Sequence, residues 1–79
     1  MDYLLSCKEI EVAILVAKGY KDSEIALSLY ISRRRVGEII ASIKSKWHIT
    51  SRVQIGIIAY YCGLIDIKKE VFLKYKTFN

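Results

Sequence analysis

Residues 32–47 read SRRRVGEIIASIKSKW, and this stretch decides the predicted fold. At about 100° per residue, Ile40, Ile43 and Trp47 fall within about 40° of Val36, which predicts a helix with one apolar stripe. The opposite face carries Arg34, Glu38, Ala41, Ser42 and Ser45. Such a helix, with three arginines in its first turn, is suited to a DNA groove. Ordinary amphipathic surface helices show the same pattern, so the flanking sequence has to separate the two interpretations.

The composition is typical of a small helical protein. The chain has 79 residues, of which 53% are hydrophobic, with no Pro and four Gly. Because so small a core is marginal by itself, dimerisation would add stability. We expect an all-α domain over residues 1–65 and a tail over residues 66–79.

The net charge of +5 is concentrated in one region. Residues 33–52 carry six Lys and Arg against one Glu and have a net charge of +5, whereas residues 1–32 have −2 and residues 53–79 have +2. This basic segment favours a polyanionic partner such as DNA. A solvated basic face without a partner is the alternative.

Several functional classes find no support in the sequence. Cys7, Cys62 and His48 are isolated, so no metal site is predicted, and both cysteines are expected to be reduced and buried. No nucleophile–base pair, carboxylate dyad or Gly-rich phosphate loop occurs, so we expect no enzyme activity and no cofactor. We expect neither a signal peptide nor a membrane span, because the uncharged residues 53–65 are too few, and therefore a cytoplasmic location.

Serine caps predict where three of the helices begin. Ser6 with Glu9 and Ser51 with Gln54 form capping boxes, and Ser32 caps the arginine helix. The predicted helices cover residues 7–18, 22–29, 33–47 and 52–62. Gly19 and Gly63 are predicted to end the first and last helices, and Tyr30 begins a tight turn. The inward residues predicted for the first helix are Ile10, Ala13, Ile14 and Ala17.

The last predicted helix is apolar on nearly all sides. A helix in so small a domain cannot bury its whole circumference within one subunit. One face is therefore expected to pack on the first and third helices, and the other to meet a second copy of the chain. The predicted dimer-interface residues are Ile57, Ile58, Tyr60, Tyr61 and Leu64.

The tail over residues 66–79 has two patterns. Ile67, Val71, Tyr75 and Phe78 have helical spacing, whereas Val71, Leu73, Tyr75 and Thr77 would form one strand face. We favour a short helix.

Several short motifs occur together in a recognisable order. They are Leu5-Ser6, Glu9, Glu11-Val12, Ala17-Lys18-Gly19-Tyr20, Glu24-Ile25-Ala26, Leu29-Tyr30-Ile31-Ser32, Val36, Ile40, Ile43, Ser51-Arg52-Val53-Gln54 and Gly63-Leu64-Ile65. Over about residues 5–65 the chain resembles the LuxR/GerE/FixJ-type helix-turn-helix domain of bacterial regulators. Since the match begins near the first residue of the sequence, we expect the chain to resemble most the stand-alone, GerE-like members.

The resemblance implies a homodimer on double-stranded DNA. The second and third helices would form the helix-turn-helix, the third would enter the major groove, and the fourth would form an isologous interface. The residues expected to face the bases are Arg34, Gly37, Glu38, Ala41 and Ser42. The residues expected to contact phosphates are Arg33, Arg35, Lys44, Lys46 and Arg52.

The reading face departs from the family pattern. Family members commonly carry a basic residue in place of Gly37, a polar or basic one in place of Ala41, His in place of Ile39 and Thr in place of Arg35. Glu38 leaves three interpretations open. In the first, Glu38 pairs with Arg34 and orients its guanidinium for a bidentate contact with guanine. In the second, Glu38 accepts a hydrogen bond from a cytosine amino group. In the third, Glu38 repels phosphate, on a helix face that no longer binds DNA specifically.

Two functional hypotheses follow. The leading one is a small homodimeric, sequence-specific transcription regulator. The alternative is a protein-interaction module, in which the last helix binds a related regulator and specific DNA binding is weak or absent.

Overall fold

The computed structural model describes residues 4–65, which form four helices. They are α1 (Cys7–Ala17), α2 (Asp22–Leu29), α3 (Arg33–Trp47) and α4 (Arg52–Tyr61). The all-α prediction is confirmed, since these residues contain no strand. The bounds of α2 and α3 are as predicted, and α1 and α4 each end one residue earlier. The prediction of a helical tail lies outside the described residues.

The serine caps are present as predicted. Ser6 Oγ accepts from the amide of Glu9 at 3.2 Å, and the Glu9 carboxylate accepts from the amide of Ser6 at 2.7 Å. Ser51 and Gln54 form the same reciprocal pair at the start of α4. Each cap supplies partners to amides that lack a carbonyl within the helix, so local sequence defines where the helices begin.

A residue with left-handed backbone follows each helix within two positions. Gly19 and Gly63, with φ of +93° and +77°, follow α1 and α4 as predicted. After α2 and α3 the residues are Tyr30 and His48, with φ of 58° and 55°. The sequence does not predict left-handed backbone at these two positions, because residues with a Cβ adopt this conformation only at an energetic cost and glycine is the usual indicator of it.

The core lies where α1 packs against α3 and α4 and where α2 packs against α3. The apolar stripe of α3 is confirmed, since Val36, Ile40 and Ile43 are buried and the half-buried Trp47 packs on the core. Other buried core residues are Val12, Ala13, Val16, Ile25, Ala26, Ile39 and Ile55.

The buried face of α1 differs from the prediction by about one residue. Its buried positions are Glu9, Val12, Ala13 and Val16. The predicted residues Ile10, Ile14 and Ala17 are only half-buried. Both sets have helical spacing, so the choice between them depends on where α3 and α4 lie.

The longest helix, α3, has 15 residues. Within residues 4–65, no helix combines the length and the apolar character needed to cross a membrane.

Candidate nucleic-acid interface

Three consecutive arginines form the first turn of α3. The Ser32 hydroxyl accepts from the amide of Arg35 at 3.0 Å and fixes the start of the helix. All three arginines are exposed, and the side chain of Arg34 is 91% exposed. No acidic residue lies in this turn. Cations at a helix N-terminus meet the positive end of the macrodipole, so this turn carries a concentrated positive field.

Glu38 lies one turn further along the same face. Its Oε1 is 3.3 Å from Nη1 of Arg35, and its Oε2 is 3.8 Å from Nε of Arg34. Of the three interpretations that the sequence left open, the structure contains the contact of Arg34 with Glu38, and Arg35 joins it. The carboxylate thus contacts two of the three arginines.

The other residues on this side of α3 are small and exposed to solvent. Gly37 and Ala41 are exposed, and so is Ser45. A Cβ added at Gly37 would meet nothing within 4 Å. We define the outer face of α3 as Arg34, Gly37, Glu38, Ala41 and Ser45. Its centre carries little side-chain bulk, so another surface can approach the backbone of α3 closely.

Ser42 does not belong to the outer face, contrary to the prediction. Its hydroxyl donates to Oε2 of Glu9 at 2.5 Å, which turns the side chain towards α1. Ser42 lies at the edge of the outer face, about 120° from the centre of the apolar stripe, where packing against α1 decides the orientation of its side chain.

Lys46 is likewise directed at α1 rather than outward. Its ammonium donates to Oε1 of Glu9 at 2.8 Å and to the carbonyl of Leu4 at 3.4 Å. We therefore remove it from the predicted phosphate contacts, because releasing it would leave the carboxylate of Glu9 without its cation.

Glu9 connects the start of α1 to the second half of α3. Its residue exposure is only 7%. Burial by itself raises the pKa of Glu9, but hydrogen bonds from Lys46, from Ser42 and from the amide of Ser6 outweigh it and lower the pKa to about 2. Sequence reasoning assigned Glu9 only the capping role. The sequence feature that corresponds to this second role is the i, i+4 spacing of Ser42 and Lys46, which places both side chains on one side of α3, where one carboxylate can contact both.

Ile39, which stands where family members commonly carry His, is buried, with 3% exposure. It belongs to the hydrophobic core, together with the apolar stripe of α3. The side chain at this position is therefore not available to a partner.

Arg52 forms a bridge between α4 and the start of α2. Its Nη1 donates to Oδ1 of Asp22 and its Nη2 to the carbonyl of Tyr20, both at 2.5 Å. Two of the five guanidinium donors are therefore used within the chain, which weakens the support for the predicted phosphate contact.

The other predicted phosphate residues keep accessible positions. Arg33 is exposed and Lys44 is half-buried. Neither forms an ion pair with another of the described residues.

A second exposed surface lies on α4. Val53, Ile57, Tyr60 and Tyr61 are 72%, 56%, 49% and 88% exposed, and we call these four residues the α4 apolar face. Ile58 and Leu64, which were also predicted for the interface, are half-buried, and Leu64 packs on the core. Val53 was missing from the prediction.

The arrangement of α2 and α3 is a helix-turn-helix, and the family comparison agrees with it. The model of the family described as "Bacterial regulatory proteins, luxR family" (GerE) matches residues 3–59. The chain belongs to the luxR family. This family consists of DNA-binding transcription regulators, and its domain is not an enzyme class.

The curated relatives of this luxR-family chain are longer proteins. Response regulator protein VraR from Staphylococcus aureus is 36% identical over 63 residues, which is 80% of this chain and 30% of the relative. The proteins of that name from Staphylococcus saprophyticus and Staphylococcus epidermidis match with the same identity and coverage. The chain thus spans less than a third of the length of these relatives. No solved structure matches it.

The two cysteines of this luxR-family chain are exposed rather than buried. Cys7 begins α1 on its solvent side, and Cys62 follows the last residue of α4. Apolar neighbours in sequence misled the prediction, because both residues lie at helix ends that the core does not cover. Among residues 4–65 no group of His, Cys, Asp and Glu is arranged to hold a metal ion.

Proposed function

We propose that this chain is a homodimeric, sequence-specific DNA-binding transcription regulator. In this proposal α3 lies in the major groove and α4 forms the dimer interface. Chromosomal DNA is its partner, so the proposal includes a bacterial, cytoplasmic location. Membership of the luxR family supports DNA-binding regulation, and the outer face of α3 supports the choice of reading element.

The observation that carries the proposal is the arginine turn at the start of α3. Each cation there costs about 0.3–1 kcal/mol of helix stability, because it meets the positive end of the macrodipole. A sequence that keeps three of them, with Arg34 almost fully exposed, is explained by an external polyanion. DNA phosphates and guanine edges supply this negative potential.

The structure narrows the residues proposed to contact DNA. We keep Arg34, Gly37, Glu38 and Ala41 as base-facing residues. We keep Arg33, Arg35 and Lys44 as phosphate contacts. Ser42, Lys46 and Arg52 are left out, because their polar atoms bind partners on other helices and are directed away from the outer face of α3.

The α4 apolar face supports the homodimer. Monomeric proteins rarely expose contiguous large apolar side chains, and four of them lie within three turns of this helix. An isologous pairing of two such faces would place two α3 helices on one side of a DNA duplex. Half-sites about one helical turn apart would follow from that geometry.

The test of this function is a selection from a random duplex pool at near-physiological salt, followed by sequencing. We expect an enriched two-fold-symmetric motif with half-sites about 10 base pairs apart. Weak, strongly salt-dependent binding without enrichment of any motif would contradict specific DNA recognition.

Two variants assign the roles of base and phosphate contacts. Arg34→Ala should weaken binding to the selected site by about 1–3 kcal/mol and relax one base position. Lys44→Ala should weaken binding to all sequences alike, because phosphate contacts carry no sequence information. Equal loss on every sequence for both variants would remove Arg34 as a base reader.

A second candidate function is supported by the same α4 apolar face. The chain would use it to bind another luxR-family regulator, with little specific DNA binding of its own. Sedimentation distinguishes the two. A stable homodimer at micromolar concentration favours the first proposal, whereas a monomer that forms a complex with an added luxR-family regulator favours the second.

A further inference from the structure

We infer that Glu38 sets the DNA specificity of the outer face of α3 by restraining Arg34 and Arg35. This inference rests on the proposed function. Glu38 would lower the attraction of the arginine turn for phosphate on any sequence. It would also orient Arg34 for a guanine in the major groove.

The geometry gives Glu38 two partners at once. Each carboxylate oxygen lies near a different arginine, Oε1 near Arg35 at 3.3 Å and Oε2 near Arg34 at 3.8 Å. Because both oxygens are already directed at guanidinium groups, the pairing role is better supported than acceptance from a cytosine amino group. A guanidinium whose Nε side faces Glu38 still presents its two terminal nitrogens, which is the fork that guanine O6 and N7 accept.

Folding stability does not explain why a glutamate stands at position 38. Glu38 is 54% exposed at its side chain, and exposed pairs of this kind contribute little to folding. Glu38 also lies beyond the first turn of α3, where its effect on the helix macrodipole is weak. The larger effect of Glu38 is on the charge of the surface, since its carboxylate lowers the net charge of this group of three arginines from +3 to +2.

A carboxylate on a DNA-facing surface changes specific and non-specific binding differently. On non-cognate DNA the arginines can only use phosphates, so Glu38 opposes binding. On the cognate site Arg34 gains a guanine, and a positioned guanidinium loses less freedom on forming two bonds. Both effects raise the ratio of cognate to non-cognate affinity.

The experiment compares Glu38→Gln with Glu11→Gln in the full chain. Glu11 forms an ion pair with Lys8 at 3.4 Å, with the same i, i+3 spacing and similar exposure as the Arg35 pair, but it lies on α1. Both substitutions remove one negative charge. Affinity would be measured across a salt series for the selected duplex, for the same duplex with guanines replaced singly, and for a scrambled duplex.

We expect Glu38→Gln to tighten binding to the scrambled duplex and to steepen the slope of log K against log salt by about 0.9. The ratio of cognate to scrambled affinity should fall about ten-fold, and discrimination at the Arg34-dependent guanine should relax. In an Arg34→Gln background, Glu38→Gln should no longer change that discrimination. Glu11→Gln should leave the ratio and the guanine profile unchanged.

The outcomes separate this inference from the proposed function. If the wild-type chain enriches a motif but Glu38→Gln behaves like Glu11→Gln, the inference is wrong and the proposed function stands. If the wild-type chain enriches no motif, the proposed function and this inference both fall. A tighter cognate complex with an unchanged affinity ratio would show that Glu38 affects only general phosphate attraction and would overturn its role in specificity.

Discussion

At the scale of single residues, Glu9 is a buried carboxylate whose contacts contribute to stability. Its carboxylate caps α1 and accepts from both Ser42 and Lys46 of α3. Glu9→Gln removes the charge that Lys46 needs, so we expect the free energy of unfolding at neutral pH to fall by about 2 kcal/mol. Urea denaturation followed by helical circular dichroism measures this loss. Glu11→Gln, which removes only an exposed pair, is the control.

The pH dependence of the Glu9 effect has a definite sign. Its pKa falls from 4.5 to about 2 on folding, so the ionised form stabilises the native state. That stability is complete above about pH 4.5 and is lost as the pH falls towards 2, by up to about 3 kcal/mol. The difference between wild type and Glu9→Gln should therefore shrink over this range. A difference that stays constant down to pH 2 would contradict the assigned pKa.

Gly37 is predicted to reduce stability without serving the packing of the chain. It is exposed within α3, and a Cβ there would meet nothing within 4 Å. Gly37→Ala should stabilise the protein by about 1 kcal/mol and raise Tm by about 4–8 °C. If DNA approaches α3 closely at this point, the same variant binds the selected duplex more weakly. A higher Tm with unchanged affinity would place the groove contact elsewhere.

At the scale of elements, the link between α4 and α2 depends on Arg52. Arg52→Gln should lower stability by about 1 kcal/mol, since it weakens the two bonds of a half-exposed guanidinium. The slope of log K against log salt for DNA binding should not change. The matched variant Arg33→Gln should reduce that slope by about 0.9 and raise stability by about 0.3–1 kcal/mol, because it removes a cation from the positive end of the helix macrodipole. A reduced slope for Arg52→Gln would restore it as a phosphate contact.

The helix bounds could be predicted because their causes are local. Ser6, Ser32 and Ser51 bind amides three residues away, and those pairs were readable in the sequence. The buried side of α1 was harder to predict from the sequence, because the positions of α3 and α4 define it. The same limit applied to Ser42, which lies at the edge between an inward and an outward face.

At the scale of the whole molecule, the α4 apolar face decides the proposed assembly. Ile57→Glu should place a charge at the centre of that face and convert a dimer into a monomer, as measured by sedimentation equilibrium. Leu27→Glu is the control, because Leu27 is a comparably exposed apolar residue on α2, with 78% exposure. Binding to a two-fold-symmetric duplex should weaken for Ile57→Glu, since its two half-sites would no longer be held together.

An unchanged mass for Ile57→Glu would remove α4 as the interface. A monomeric mass for both variants would show that added charge rather than the surface location causes dissociation.

The sequence by itself determined the four helices, their caps, the apolar stripe of α3 and membership of the luxR family. These features depend on interactions within a few residues of each other, or on motifs in a fixed order. Only the tertiary structure decided which charged residues of the basic segment remain available to a partner. Lys46 and Glu9 are 37 positions apart, and Arg52 and Asp22 are 30 apart. Such pairs form only when helix packing brings opposite charges together, so a basic residue counted from the sequence is not necessarily a residue that can reach DNA.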